Sequence, residues 1–303
     1  MARRSPRIID GGTGTELERR GVPMHGHAWS AGAVLSHPDV LLAVHRAFQC
    51  AGADTIIANT YSASEHSLAH AGLGEHFETI NREAVRIALR AAASCPGGPI
   101  VAGALSTTTF TGALDYSRLK SGEAAVAQYA RQATIQAEAG AELLFLEMMR
   151  DCEQTACALE GALRTGLPVW VGFSTCTGQD GAARLADTDI PLARALREVD
   201  LAGAAAVGIM HTLVEHTPLA LDTLRASWSG PTFAYPHAGR FEMPNWIFQD
   251  VMPPEAFARM GLALFDSGVE AVGGCCGIGQ EHIRALAGAL GGQGPPPPAS
   301  LHG

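Results

Sequence analysis

The chain has 303 residues, a formal net charge of -9, 47% hydrophobic residues and only 17% charged ones. That composition excludes a disordered chain. With no dense basic run, it also excludes a nucleic-acid partner, because neutralising phosphates needs clustered Lys and Arg. No apolar run reaches the length of about 18 residues that a membrane span needs, and the early arginines are not followed by an apolar signal-peptide core.

In chain order, short β-like runs occur at 7–10, 54–59, 100–105, 143–147, 169–173, 205–209, 232–235 and 271–273. Between and after them lie helix candidates at about 38–51, 76–94, 122–139, 152–164, 190–200, 216–227, 254–268 and 280–290, from their alanine-rich apolar periodicity. Ser36-His37-Pro38-Asp39 and Asp187-Thr188-Asp189 read as helix starts. Three helices are expected to end on a left-handed glycine with the next strand starting at once, at Gly52, Gly140 and Gly268.

Eight apolar strands alternating with helices predict an α/β fold, a single (β/α)8 TIM barrel with eight parallel strands. An open doubly wound sheet is the alternative, but Gly11-Gly12-Thr13-Gly14 does not complete its glycine fingerprint. Residues 1–290 read as one barrel domain. Residues 291–303, with four consecutive prolines, read as an extended or disordered tail.

Chemistry in such a barrel gathers where strands end. Here every run ends in groups able to bind or react: Asp10-Gly11-Gly12, Asn59-Thr60-Tyr61, Ser106-Thr107, Glu147, Ser174-Thr175-Cys176, Met210-His211, Tyr235-Pro236-His237 and Cys275-Cys276. The seven cysteines include an adjacent pair in a chain large enough to need no disulfide staples, so the thiols are expected reduced and the protein cytoplasmic.

Cys275 and Cys276 follow a strand and precede Gly277, which suits two thiolate ligands of Zn2+ better than simple apolar packing. His211 is the leading candidate for a third ligand, with Cys176 and His237 as competitors. His66 and His70 can share a helix face but read as surface residues, and His25 and His27 as loop residues near the mouth. Trp29, Tyr61, Tyr235 and Trp246 could wall a cationic group.

At these residues the chain resembles the homocysteine S-methyltransferase family, over roughly residues 7 to 290. The likeness is carried by Asp10-Gly11-Gly12-Thr13-Gly14-Thr15-Glu16-Leu17, Trp29-Ser30-Ala31, His37-Pro38-Asp39, Asn59-Thr60-Tyr61 and Gly273-Gly274-Cys275-Cys276-Gly277. The resemblance implies a (β/α)8 barrel and a zinc ion held by Cys275 and Cys276. It implies methyl transfer from a small onium donor, such as S-methylmethionine, to the thiol of homocysteine. It assigns Glu147 to the substrate amine and puts Asp10, Gly11 and Gly12 in the same pocket, with Trp29, Asn59, Tyr61, Tyr235 and His237 as further substrate contacts.

Two positions depart from the family pattern. His211 stands where the family has a third zinc cysteine, and His237 where it has asparagine after Tyr-Pro. An imidazole with two thiolates leaves the zinc site neutral rather than at -1, which lowers a bound thiol's pKa further but makes its sulfur less nucleophilic. The same departures support an alternative, a zinc enzyme of this fold acting on a different thiol or methylated onium compound. The partners expected are thus a small thiol acceptor and a methyl donor.

Overall fold

A computed structural model describes residues 8–94, 98–107, 119–242, 245–249 and 251–291. Of the tail expected at 291–303, residues 292–303 lie outside the described residues.

The strands are β1 (Thr55–Ile57), β2 (Ile100–Ser106), β3 (Leu143–Met149), β4 (Val169–Phe173), β5 (Thr175–Thr177), β6 (Ala183–Leu185), β7 (Ala206–Leu213), β8 (Thr232–His237), β9 (Arg240–Glu242), β10 (Asn245–Ile247) and β11 (Ala271–Val272). Seven of them form one parallel sheet in the order β1-β2-β3-β4-β7-β8-β11. The other four make two antiparallel hairpins, β5–β6 and β9–β10.

The helices are α1 (Thr13–Arg19), α2 (Ala33–Ser36), α3 (Pro38–Cys50), α4 (Glu65–His70), α5 (Phe77–Ala92), α6 (Gly122–Glu138), α7 (Cys152–Leu163), α8 (Leu192–Glu198), α9 (Thr217–Arg225), α10 (Pro254–Asp266) and α11 (Gln280–Ala289). The eight helices expected from periodicity correspond to α3 and α5–α11.

The first expected strand is not a strand of the sheet. Ile8 and Ile9 make single parallel bridges, Ile8 with Val272 of β11 and Ile9 with Thr55 of β1. The run stops there because Asp10 turns its carboxylate onto the Ile57 N–H (2.9 Å), and Gly11-Gly12 leads straight into α1. Among the described residues the sheet therefore has seven strands, with the eighth expected run present as these two bridges.

Local chemistry accounts for the helix ends. Proline opens α3 and α10, where its missing N–H costs no helix bond. Asp151 caps α7 by accepting from Gln154 N at 2.8 Å. Gly52, Gly140 and Gly268 all have left-handed φ, as expected. After each, the next residue donates five positions back, to the Phe48, Gln136 and Leu264 carbonyls respectively, one of the paired bonds of a Schellman end.

Apolar burial falls into two layers. One joins the sheet's outer face to the helices, with Leu41, Phe48, Ile80 and Leu286 among its members. The other lies within the curl of the sheet. There Phe145, Trp170 and Phe233 meet with ring centroids 5.1–5.3 Å apart, and this aromatic plug excludes water from that space. No helix among the described residues is long and apolar enough to cross a membrane.

Candidate metal centre and substrate cavity

At the carboxyl ends of the strands lies a cavity of about 650 Å³. Its lining includes Gly11, Gly12, Trp29, Asn59, Tyr61, Glu147, His211, Tyr235, Cys275 and Cys276. Asp10 is fully buried beside it, and its carboxylate accepts from the Tyr235 hydroxyl at 3.0 Å. His237 is not brought into this cavity. It lines a smaller one with Glu215 and Met252, and its ring lies tilted by 37° against His211 with centroids 4.3 Å apart. Cys176 lies in the β5–β6 hairpin, outside the thiol cluster.

Two breaks in the ladder aim the side chains. The β3–β4 register shifts between Leu146 and Met149, and the β7–β8 register between Met210 and Leu213. Met148 (φ 54) and His211 (φ 43) sit inside these irregularities with left-handed backbones. A local extra residue bends a strand and re-aims its side chains. Among the described residues the non-glycine positions with positive φ are Trp29, Met148, Asp187 and His211, and all four line the cavity. Such conformations cost about 1–3 kcal/mol each and persist where the surroundings enforce them.

His211 Nδ1 lies 3.4 Å from Cys275 Sγ, and the two Sγ atoms are 3.9 Å apart. All three ligand atoms fall within 4.8 Å of one another. A tetrahedral zinc with bonds of about 2.3 Å to sulfur and about 2.0 Å to nitrogen requires edges of roughly 3.8 Å and 3.5 Å. The donor set therefore fits a metal of that size, and all three residues line the cavity.

The turn carrying the thiols is fixed from both sides. Gly277 has φ +81, and a Cβ there would run into the Ala238 carbonyl. A Cβ on Gly12 would meet the Cys275 carbonyl at 2.7 Å. These glycines serve close backbone packing around the thiol turn as much as the cavity wall.

Burial dominates the electrostatics. Contact with Cys276 and then burial push the Cys275 thiol well above its usual range, a tendency that a divalent cation reverses. Burial holds Asp10 well above the ordinary carboxylate range, with hydrogen bonds from Ile57 and Tyr235 opposing it. Burial lifts Glu147 to about 8. His211 is lowered by burial first and then by the His237 and Arg150 charges, which keeps it neutral and able to ligate.

Trp29, Tyr61, Tyr235 and Trp246 all line the cavity; Trp29 meets Tyr61 edge-on at 6.3 Å, and Trp246 approaches His211 at 5.9 Å. Asn59 is held by a reciprocal pair with Ser30, both bonds 2.8 Å. The Tyr61 hydroxyl donates to Met148 Sδ at 2.8 Å.

Several lining residues escape the sequence. Met148 and Arg150 follow Glu147, where an apolar run gives no sign of a bulge. Asp187, expected to help start a helix, instead ion-pairs Arg150 at 2.7 Å, and Pro191 occupies the helix start. Phe241 reaches the cavity on the β9–β10 hairpin. The expected surface pair does form, with the His66 and His70 rings 4.2 Å apart on α4.

Fold and cluster together define an α/β protein able to hold one metal ion where its parallel strands end, beside a cavity large enough for small substrates. Residues 7–290 match the family model described as homocysteine S-methyltransferase, and the chain belongs to that family. It is 27% identical to betaine–homocysteine S-methyltransferase 1 of Danio rerio, over 92% of this chain and 72% of that protein. It is 28% identical to an S-methylmethionine–homocysteine S-methyltransferase of Mus musculus, over 92% and 77%. The metallated form of the homocysteine methyltransferase MmuM from Escherichia coli superposes with a TM-score of 0.75, covering 94% of this chain and 96% of that one at 24% identity, a likeness of fold.

Proposed function

We propose that this protein is a zinc-dependent methyltransferase that moves a methyl group from a small onium donor to the thiol of homocysteine, giving methionine. The observation that carries the reading is the cluster of His211 Nδ1, Cys275 Sγ and Cys276 Sγ opening onto the cavity. In the same reading the Ile8–Ile9 segment, bridged to both edge strands, is the eighth stave of a closed (β/α)8 barrel forming one domain.

A zinc ion held by these residues supplies positive charge that favours the thiolate form of a substrate thiol. Glu147 holds the acceptor's ammonium group, and Asp10, fixed by Ile57 and Tyr235, keeps the Gly11-Gly12 turn in place beneath it. The rings of Trp29, Tyr61 and Trp246 offer a cationic methyl group π faces in place of water. Burial of the cavity floor keeps water from competing with the thiol.

Zinc per chain in the purified, reduced protein tests the assignment. About one zinc in the parent, lost in His211→Ala and in Cys276→Ser, is expected. A parent without zinc, or full zinc in both variants, overturns it. His211, in the family's cysteine position, also favours a second reading in which another small thiol is the acceptor. A panel where homocysteine is inert and another thiol is methylated would select that reading.

A further inference from the structure

A thiolate ligand is placed by one side-chain torsion and an imidazole by two, so a histidine ligand needs its ring held as well as its backbone. The strand holds the backbone of His211. From Tyr235 to His237 β8 advances two residues, while β7 advances three, from Met210 to Leu213. His211 lies in that wider span at φ 43. Pro236, on β8 between the two pairs, has no N–H to offer a ladder, which suits a break there. The Ser174 hydroxyl donates to the His211 carbonyl at 2.8 Å. None of these contacts fixes the second torsion of the side chain, and the ring is left to its neighbours.

His237 is the neighbour tied to the other two ligands. Its main chain is bracketed by the thiol turn. The Cys275 N–H donates to the Pro236 carbonyl at 2.7 Å, and the Ala238 N–H donates to the Cys276 carbonyl at 3.0 Å. Its ring meets the His211 ring with centroids 4.3 Å apart and a tilt of 37°. Trp246 closes the group, edge-on to His237 at 5.6 Å and to His211 at 5.9 Å. The Trp246 indole N–H donates to the Ala238 carbonyl at 3.1 Å, which ties this ring to the same segment. One residue thus has its main chain locked to the two thiols and its side chain against the imidazole.

We propose that His237 is a positioning residue of the metal centre. Its ring braces the His211 imidazole and keeps Nδ1 beside the thiol pair, 3.4 Å from Cys275 Sγ. The role presupposes that the cluster holds zinc, as the methyltransferase reading requires. Residues that orient a metal ligand without touching the metal are worth about 10- to 100-fold in metal affinity.

The test is zinc affinity, read by chelator competition in the reduced full-length protein in two backgrounds. In the parent, His237→Ala should lower the affinity by about tenfold or more. His237→Phe, which restores a flat ring, should recover most of that loss. In a His211→Cys background a thiolate takes the third position and has no ring to brace. There His237→Ala should change the affinity by about twofold at most, as independent sites do. If His237→Ala does not fold, His237→Asn, polar and without a ring, takes its place with the same expectations. Equal losses in the two backgrounds, no loss in the parent, or a loss that phenylalanine does not recover overturns the brace and leaves His237 a structural residue. An affinity untouched by His211→Ala overturns the ligand set itself, and the brace with it. Loss in His211→Ala without loss in His237→Ala overturns the brace alone and leaves the zinc reading standing.

Discussion

Glu147 offers a test of the site that needs no turnover. Burial raises its carboxyl to about 8, so at neutral pH most molecules hold it protonated and unable to pair with an ammonium group. The ionised fraction is about 1% at pH 6, about 9% at pH 7 and about half at pH 8. A ligand whose ammonium must meet the carboxylate should therefore bind roughly fiftyfold tighter at pH 8 than at pH 6, with the rise flattening above pH 8. L-Methionine suits the measurement because its own charges hold steady across that range. Calorimetry in buffers of different ionisation enthalpy should show close to one proton released per methionine bound at pH 6–7. Zinc adds an opposite charge, so the zinc-loaded protein should show the same slope with a lower midpoint. Glu147→Gln should weaken binding and abolish both the slope and the proton release. A flat profile in the parent, or a slope that survives Glu147→Gln, would refute the assignment of the amine to this residue. Stability follows the opposite sign. The folded value of about 8 lies above the unfolded 4.5, so the contribution is fully present below pH 4.5 and is lost as pH rises through 8. The loss is at most about 5 kcal/mol.

Three further outcomes follow from residues around the site. His45 is fully buried in α3, with no hydrogen-bond partner for either ring nitrogen, and burial lowers it to about 3. Its contribution is present above about pH 6.5 and is lost on acidification, by about 2 kcal/mol at pH 5. Urea unfolding at pH 7.5 and 5 should show that loss as the change, between the two pH values, in the stability difference between the parent and His45→Leu, since the opposite trend from Glu147 is common to both. Gly277→Ala places a Cβ against the Ala238 carbonyl at φ +81. It should cost about 1–3 kcal/mol and weaken zinc retention, read by thermal unfolding and metal analysis. Asp151→Ala removes the α7 cap and should cost about 1 kcal/mol with zinc content unchanged.

Much of the frame was legible because it is local. The helices α3 and α5–α11 announce themselves by apolar periodicity, three of them also by the glycines that end them, and each strand run of the main sheet is short, apolar and bounded by polar residues. Cys275, Cys276, His211 and Glu147 were legible because a strand's last residues face the same end of the sheet. Long-range compensation was not legible. The first run reads as a strand like the others, but Asp10 takes the Ile57 N–H that a longer ladder would use. Asp187 reads as a helix cap because acids favour that position, yet its partner is Arg150, 37 residues earlier in sequence. His237 reads as a cavity residue because it ends a strand. The irregular pairing beyond Met210 leaves it behind His211 instead, a difference no local pattern records.

The histidine at 211 changes what the rest of the cavity must do. Three thiolates on a divalent metal leave a charge of -1, which draws an onium donor toward the sulfur. One imidazole and two thiolates would leave none, so that attraction would be weaker by one charge. Glu147 is largely neutral before the acceptor binds, and the Arg150 charge is balanced by Asp187. In the proposed reaction, recognition of a cationic methyl group would therefore fall mainly to the aromatic rings. Trp29 and Trp246 are more than nine-tenths buried, and cation–π attraction is strongest where water is excluded, about 2 kcal/mol against about 0.5–1 kcal/mol at exposed sites. The left-handed backbone that holds Trp29 at the cavity (φ 39) is the cost of placing that ring. It is repeated at His211, where the strand is bent to bring an imidazole, longer than a cysteine side chain, within 3.4 Å of Cys275.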